Sequence, residues 1–174
     1  VKAEKRKMRR LEIYKVDGKN SMHYRWRLAG FWRVCWNFMV IQLVRVIPFL
    51  RLKNWCLRYL LGMKVGRHAS VAVMVMFDIF LPHYITIGED AVLGYNCTIL
   101  CHEFLLREYR IGKVEIGPGV HIGANTTVLA GVNIGEGAVV SACSLVNHDI
   151  PPYVVAGGVP ARILGSVKKE VQKD

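Results

Sequence analysis

The sequence has no CxxC pair, almost no acidic side chains in its first third, and no apolar run long enough and free enough of charge to cross a bilayer. Without a CxxC pair there is no zinc-ribbon or thioredoxin-like motif, and five cysteines at positions 35, 56, 97, 101 and 143 are an odd number that suits buried free thiols in a reducing compartment. The basic start lacks the uninterrupted apolar core and small-residue cleavage site of a secretory leader, so a cytoplasmic location is the expectation. The most apolar stretch, Leu28 to Ile47, is interrupted by Arg33 and Arg45, which argues against a membrane span. Acid is scarce in residues 1–64, where 16 Lys and Arg face only Glu4, Glu12 and Asp17; residues 65–174 carry 8 basic against 10 acidic side chains. The net charge of +11 therefore belongs to the N-terminal third. A field of that sign attracts phosphates or anionic lipid.

Four segments follow from composition and period. Residues 1–22 are polar and basic, with Asp17–Gly18 as a turn signal, and predict a flexible arm. Residues 23–63 predict an amphipathic helical segment. Arg33, Asn37, Gln42 and Arg45 suggest a polar stripe on a first helix, Pro48 breaks it, and Leu52, Trp55, Cys56, Tyr59 and Leu60 recur as the apolar face of a second. These faces either pack on the remaining domain or a neighbouring subunit, or make a peripheral contact with the inner membrane surface through residues 1–61. No groove-reading or base-stacking module accompanies the basic residues, so no nucleic-acid partner is expected. Residues 166–174 form a polar tail, and residues 64–165 carry the repeat.

Within that third segment an apolar residue returns every six positions: Val65, Val71 and Phe77; Ile87, Leu93 and Ile99; then Ile116, Ile122, Val128, Ile134, Val140 and Val146. Gly follows six of the twelve, and the fifth position is small or β-branched in nine. Six residues make one short strand and a corner; the first side chain fills a narrow core, and small residues let the chain turn. Gly beside the inward aliphatic is expected to supply backbone angles other residues resist. Three such sides close an 18-residue triangular coil whose strands pair in parallel with the next, so twelve units predict about four coils of an all-β parallel helix with an N-terminal α-helical extension.

The stretch IGPGVHIGANTTVLAGVNIGEGAVVSACSLVNHDIPPYVVAGGVPAR, Ile116 to Arg162, resembles the hexapeptide-repeat acyltransferases, in particular their maltose, galactoside and xenobiotic O-acetyltransferase branch. The resemblance covers about residues 65–165. It implies a left-handed coil, against the usual crossover hand, a homotrimer with sites between subunits, and acetyl-CoA as acyl donor with no metal.

The repeat breaks between Phe77 and Ile87 and again between Ile99 and Ile116, and breaks in a solenoid map to excursions on a binding face. The longer excursion, residues 100–114, opens with His102 and Glu103. Transfer to a hydroxyl needs a base with a pKa near neutrality, which imidazole supplies. The resemblance makes His102 that base, with Glu103 and Asp78 as residues that orient it or hold the acceptor. On the donor side it points to the backbone N–H of Ala124, to Ala142 as a small residue beside the pantetheine arm, to Asn147 and His148 in place of a common Thr-Lys pair, and to Arg162 near CoA phosphate. His121 stands where many relatives carry Trp. The acceptor is expected to be a sugar or, given Met74, Met76 and Phe77 in the earlier coil, an amphiphilic molecule. Two rival readings share the fold. A γ-type carbonic anhydrase would need an HxxxxH pair with a third histidine about two dozen residues earlier, and this sequence has no HxxxxH; a non-catalytic assembly scaffold would need no base.

Overall fold

A computed structural model describes residues 9–167. Besides two 3-10 helices at Ser21–Arg27 and Pro82–Tyr84, its elements in chain order are β1 (Glu12–Lys15), helices α1 (Phe31–Val44) and α2 (Leu50–Tyr59), then short strands β2 (Lys64–Val65), β3 (Ser70–Val71), β4 (Met76–Phe77), β5 (Ile85–Ile87), β6 (Val92–Leu93), β7 (Thr98–Ile99), β8 (His102–Phe104) and β9 (Glu108–Ile111). They continue with β10 (Val114–Ile116), β11 (His121–Ile122), β12 (Thr127–Val128), β13 (Asn133–Ile134), β14 (Val139–Val140), β15 (Leu145–Val146), β16 (Val154–Gly157) and β17 (Arg162–Ser166).

Three parallel faces wrap one core. The first stacks β2, β5, β10 and β13; the second stacks β3, β6, β11 and β14 and continues into β16, with β17 antiparallel at its edge; the third stacks β4, β7, β12 and β15. Register places like on like: Val65, Ile87, Ile116 and Ile134 in one column, Val71, Leu93, Ile122 and Val140 in the next, Phe77, Ile99, Val128 and Val146 in the third. All twelve are buried, eleven of them at 2% exposure or less. Each such side chain contributes roughly 1.5–3 kcal/mol by leaving water.

The glycines after these residues have a different reason from the one expected. Left-handed backbone falls two positions later, at His68, Asp90, Gly119, Gly137 and Tyr153 on one corner and at Met74, Asn96, Asn125, Cys143 and Gly158 on the next. Gly66, Gly88 and Gly123 instead sit where an added Cβ would meet the backbone of the following coil at 2.3, 2.4 and 2.4 Å. They are there for clearance between coils.

The expected arm is not free where it is described. Residues 1–8 lie outside the described residues, but β1 pairs antiparallel with β9, Arg10 N donates to Gly131 O, Ser21 Oγ donates to Leu105 O, and Tyr14 stacks on Tyr109 at 4.9 Å. The excursion after the third face is thus a hairpin, β8–β9, with β1 as its third strand. The tail expected at 166–174 falls mostly outside the described residues, and β17 runs through Ser166.

The expected helix faces fail at one residue of α1 and across most of α2. Asn37, read as part of the polar stripe of α1, is fully buried beside Val40, Ile41 and Val44, and its Nδ2 donates to Ile79 O. On α2 the inward side carries Lys53, Asn54, Cys56 and Leu57, while Leu52, Trp55 and Tyr59 face out. The cause lies in what α2 covers. The first coil has no strand beneath it, so its carbonyls need donors. Lys53 Nζ donates to Val71 O and Ala72 O, Asn54 Nδ2 to Ala69 O, and Arg58 Nε and Nη2 to Val65 O and Gly66 O. Polar side chains of α2 replace the missing coil.

Candidate active site

Every departure from the six-residue rhythm leaves the solenoid at one edge, between the third face and the first. Stacked along it are Asp78 after β4, Cys101 and His102 after β7, Ala130 and Gly131 after β12, and Asn147, His148 and Asp149 after β15. At this edge the two breaks meet. His102 Nδ1 lies 2.5 Å from Asp78 Oδ2, with the carboxylate buried and the imidazole 15% exposed.

Asp78 is held from several sides. Its Oδ1 accepts from the backbone N–H groups of Phe80 and Leu81 at 2.9 and 3.0 Å, and Oδ2 accepts from Cys101 N at 2.7 Å as well as from His102. Burial alone would push this carboxyl up, but His102 and the N–H groups of Leu81 and Cys101 outweigh it and hold it below the usual carboxylate range. An ionised carboxylate at Nδ1 keeps the proton on that nitrogen, which leaves Nε2 as the acceptor of the neutral ring. Phe80 and Phe104 each meet the imidazole edge-on at 4.9 Å, so its surroundings are apolar as well as fixed. Cys101, next in the chain, is fully buried, and burial followed by the Asp78 charge raises its thiol far above the ordinary value. It stays a thiol, unsuited to carry an acyl group.

Glu103 does not join this pair. Alternation along β8 turns it away from Asp78, and its carboxylate meets Arg9 Nη1 at 2.5 Å, while the same guanidinium reaches Ala130 O at 3.3 Å. Of the two acids expected near His102, Asp78 touches it and Glu103 ties down the N-terminal segment.

The chain matches the bacterial transferase hexapeptide family (six repeats) over residues 113–148. YvoF of Bacillus subtilis, itself named only provisionally as an acetyltransferase, is 50% identical over 166 residues, covering 95% of this chain and 96% of that one. The chain belongs to the hexapeptide-repeat acetyltransferases. Among solved structures, a hexapeptide-repeat acetyltransferase of Vibrio cholerae complexed with acetyl coenzyme A aligns at TM-score 0.66 and 25% identity over 78% of this chain and 87% of its own. A galactoside acetyltransferase in complex with coenzyme A aligns at TM-score 0.59 and 20% identity over 90% and 87%. The fold of this acetyltransferase is accordingly the left-handed parallel β-helix.

The remaining expected residues of the acetyltransferase lie apart from His102. Ala124 and Ala142 occupy successive coils at the corner between the second and third faces, across the width of the third face from His102, and Cys143 N donates to Ala124 O between them. Ala124 is half-buried and Ala142 exposed, and both present only a methyl group beside the exposed Asn125 and Cys143. Asn147 and His148 share the His102 edge two coils further on, about 10 Å at strand spacing. His148 Nδ1 is 2.9 Å from Asn147 Oδ1, and Asp149 accepts from Asn133 N at 2.8 Å. Arg162 opens β17, exposed, with Nη1 on Ala161 O. His121 is exposed on the second face. No group of three or more His, Cys, Asp or Glu side chains converges among the described residues.

Sequence reasoning missed Phe80, Phe104 and Arg9. Nothing in the period marks them: Phe80 and Phe104 lie in the breaks, where the repeat no longer assigns a side chain to a face.

Proposed function

We propose that the chain moves an acetyl group from acetyl-CoA to a hydroxyl of a sugar or amphiphilic acceptor by direct attack, with His102 as the general base. The buried Asp78 carboxylate on Nδ1 carries this reading. Asp78 orients the ring and favours the tautomer whose Nε2 takes the hydroxyl proton in the transition state, and it stabilises the imidazolium that results. Acetyl-CoA supplies a thioester carbonyl and a thiolate leaving group. The proton now on Nε2 then goes to the departing sulfur. Phe80 and Phe104 keep water from the ring and suit an acceptor with an apolar part.

The donor fits the small-residue corner. Methyl side chains at Ala124 and Ala142 leave room for an extended pantetheine arm, the Ala124 N–H is the candidate donor to the developing oxyanion, and Arg162 is the candidate phosphate contact, with Asn147 and His148 further along the His102 edge. Since the His102 edge and the Ala124 corner flank one face of a single chain, a homotrimer that sets one subunit's edge against its neighbour's corner would unite base and donor. We assign a cytoplasmic setting, at or near the inner membrane surface; no helix among the described residues is long and apolar enough to cross a membrane.

The test is to incubate the protein and a His102→Asn variant with acetyl-CoA and a panel of hydroxyl acceptors, including sugars and glycolipids, following products by mass spectrometry and CoA thiol release. The variant should lose about 10²–10⁴-fold in kcat while still binding acetyl-CoA. A product formed equally well by the variant would remove His102 from the chemistry.

A further inference from the structure

The two helices carry an outer surface that the fold leaves without a partner. On α1 the outward half holds Phe31, Trp32, Trp36, Phe38, Met39 and Leu43, all exposed, with Gln42 as the polar exception. Trp32 is 82% exposed. On α2 Lys53, Asn54 and Arg58 are spent on the coil carbonyls, so the apolar stripe Leu52, Trp55 and Tyr59 faces out beside the exposed Arg51, and Phe49 in the connection is 70% exposed. Trp26, Phe31 and Trp32 form one aromatic cluster, with centroids 5.5 and 5.2 Å apart, and Trp55 lies 5.6 Å from Tyr59. An apolar helix face is stable when something covers it, and the solenoid covers only the opposite side of each helix.

Charge selects the partner. Between Asp17 and Asp78 there is no acidic residue, against ten Lys and Arg. Guanidiniums border the aromatic cluster: Arg25 lies over the Trp26 ring at 4.6 Å and Arg27 over Tyr24 at 4.7 Å. A second copy docking through the same helices would set cations against cations. A surface that is apolar within and anionic at its boundary satisfies both parts, and Trp, Tyr and Arg are the side chains that sit at such a boundary.

We propose that the outer face of α1 and α2 docks on an anionic phospholipid bilayer, with both helices lying in the headgroup plane. Asn37, on the opposite side of α1, is bonded to Ile79 in the excursion that carries Asp78 and Phe80. Docking therefore holds the His102 edge close to the lipid surface.

The experiment is flotation of the full chain with vesicles of equal parts phosphatidylglycerol and phosphatidylcholine, and with phosphatidylcholine alone, at low and high salt. Tryptophan emission and sedimentation velocity are read alongside. All four tryptophans, at 26, 32, 36 and 55, lie in this segment, so emission reports on the docking face itself. The protein should float with the anionic vesicles at low salt, with emission shifted to shorter wavelength, and far less with phosphatidylcholine or at high salt. Arg27→Gln with Arg51→Gln should lower partitioning about thirtyfold. Trp32→Ser with Trp55→Ser should abolish it without changing the sedimenting mass. Absence of flotation at low salt overturns the proposal. So does a tryptophan variant whose sedimenting mass falls while wild type stays off the vesicles, which would assign the face to a second copy. Neither readout needs an acceptor or turnover, so failure here leaves the acyl-transfer reading standing.

Discussion

Replacing Asp78 by Asn separates geometry from charge at the centre of the site. The amide is the same size, and its single oxygen can replace only one carboxylate oxygen. Kept on Phe80 N and Leu81 N, it turns the NH2 group toward Cys101 N and His102 Nδ1, which are donors in the native site. The reverse rotamer faces two backbone donors with NH2 and is worse. One buried N–H and one charge-assisted hydrogen bond are lost, about 2–4 kcal/mol in all, partly offset because a buried charge is gone. The imidazole responds by moving its proton to Nε2, so that Nδ1 can accept from the amide, and the nitrogen needed as base is then blocked. Turnover should fall by about 10²–10⁴-fold with acetyl-CoA binding retained. Stability adds a signature of its own. Asp78 is held below its unfolded pKa of about 3.9, so its contribution is complete above that value and lost as pH falls through the lower folded one. The gap between wild type and variant in urea titrations should therefore be constant near neutrality and close in acid. Wild-type turnover in the variant, or a gap that widens in acid, would refute the assignment of Asp78 as the residue that positions His102.

Two further substitutions test the supports of the site. Lys53→Met keeps the stem but strips Val71 O and Ala72 O of their donor, and should cost about 1–3 kcal/mol in urea titrations. Burial lowers the Lys53 pKa, so the unfolded chain binds more protons between that value and about 10.4; wild type should gain on the variant as pH rises through this window. A pH-independent difference would mean that Lys53 is solvated. Glu103→Gln breaks the pairing with Arg9 and should cost about 1–2 kcal/mol while leaving kcat within about threefold. Loss of turnover at unchanged stability would return Glu103 to the chemistry.

The solenoid was legible because one position in six has a single environment. Val65 through Val146 all face one narrow core, and a residue that must be apolar in every coil leaves a period no other fold imitates. His102 was legible as the residue at which that period stops. Asp78 was legible as a candidate only through the family resemblance, and its pairing with His102 was not legible in the spacing. Asp78 and His102 are 24 residues apart and each lies inside a break, where spacing carries no register; only the stacking of Phe77 on Ile99 brings the two excursions together.

The helices misled for a different physical reason. Reading an amphipathic pattern assumes that the buried side is the apolar one, which holds when a helix packs on side chains. The end of a parallel coil offers a row of carbonyls instead, and donors satisfy it better than aliphatics do. The side of α2 bearing Lys53, Asn54 and Arg58 therefore turns inward, together with Cys56 and Leu57. Once those residues are committed to the cap, the helix has no freedom left over where Leu52, Trp55 and Tyr59 point. The exposed aromatic face is thus a consequence of how the solenoid is closed, and a surface fixed in that way persists only where water is not its sole neighbour. The device that ends the β-helix and the surface that seeks a membrane are two sides of one ten-residue helix.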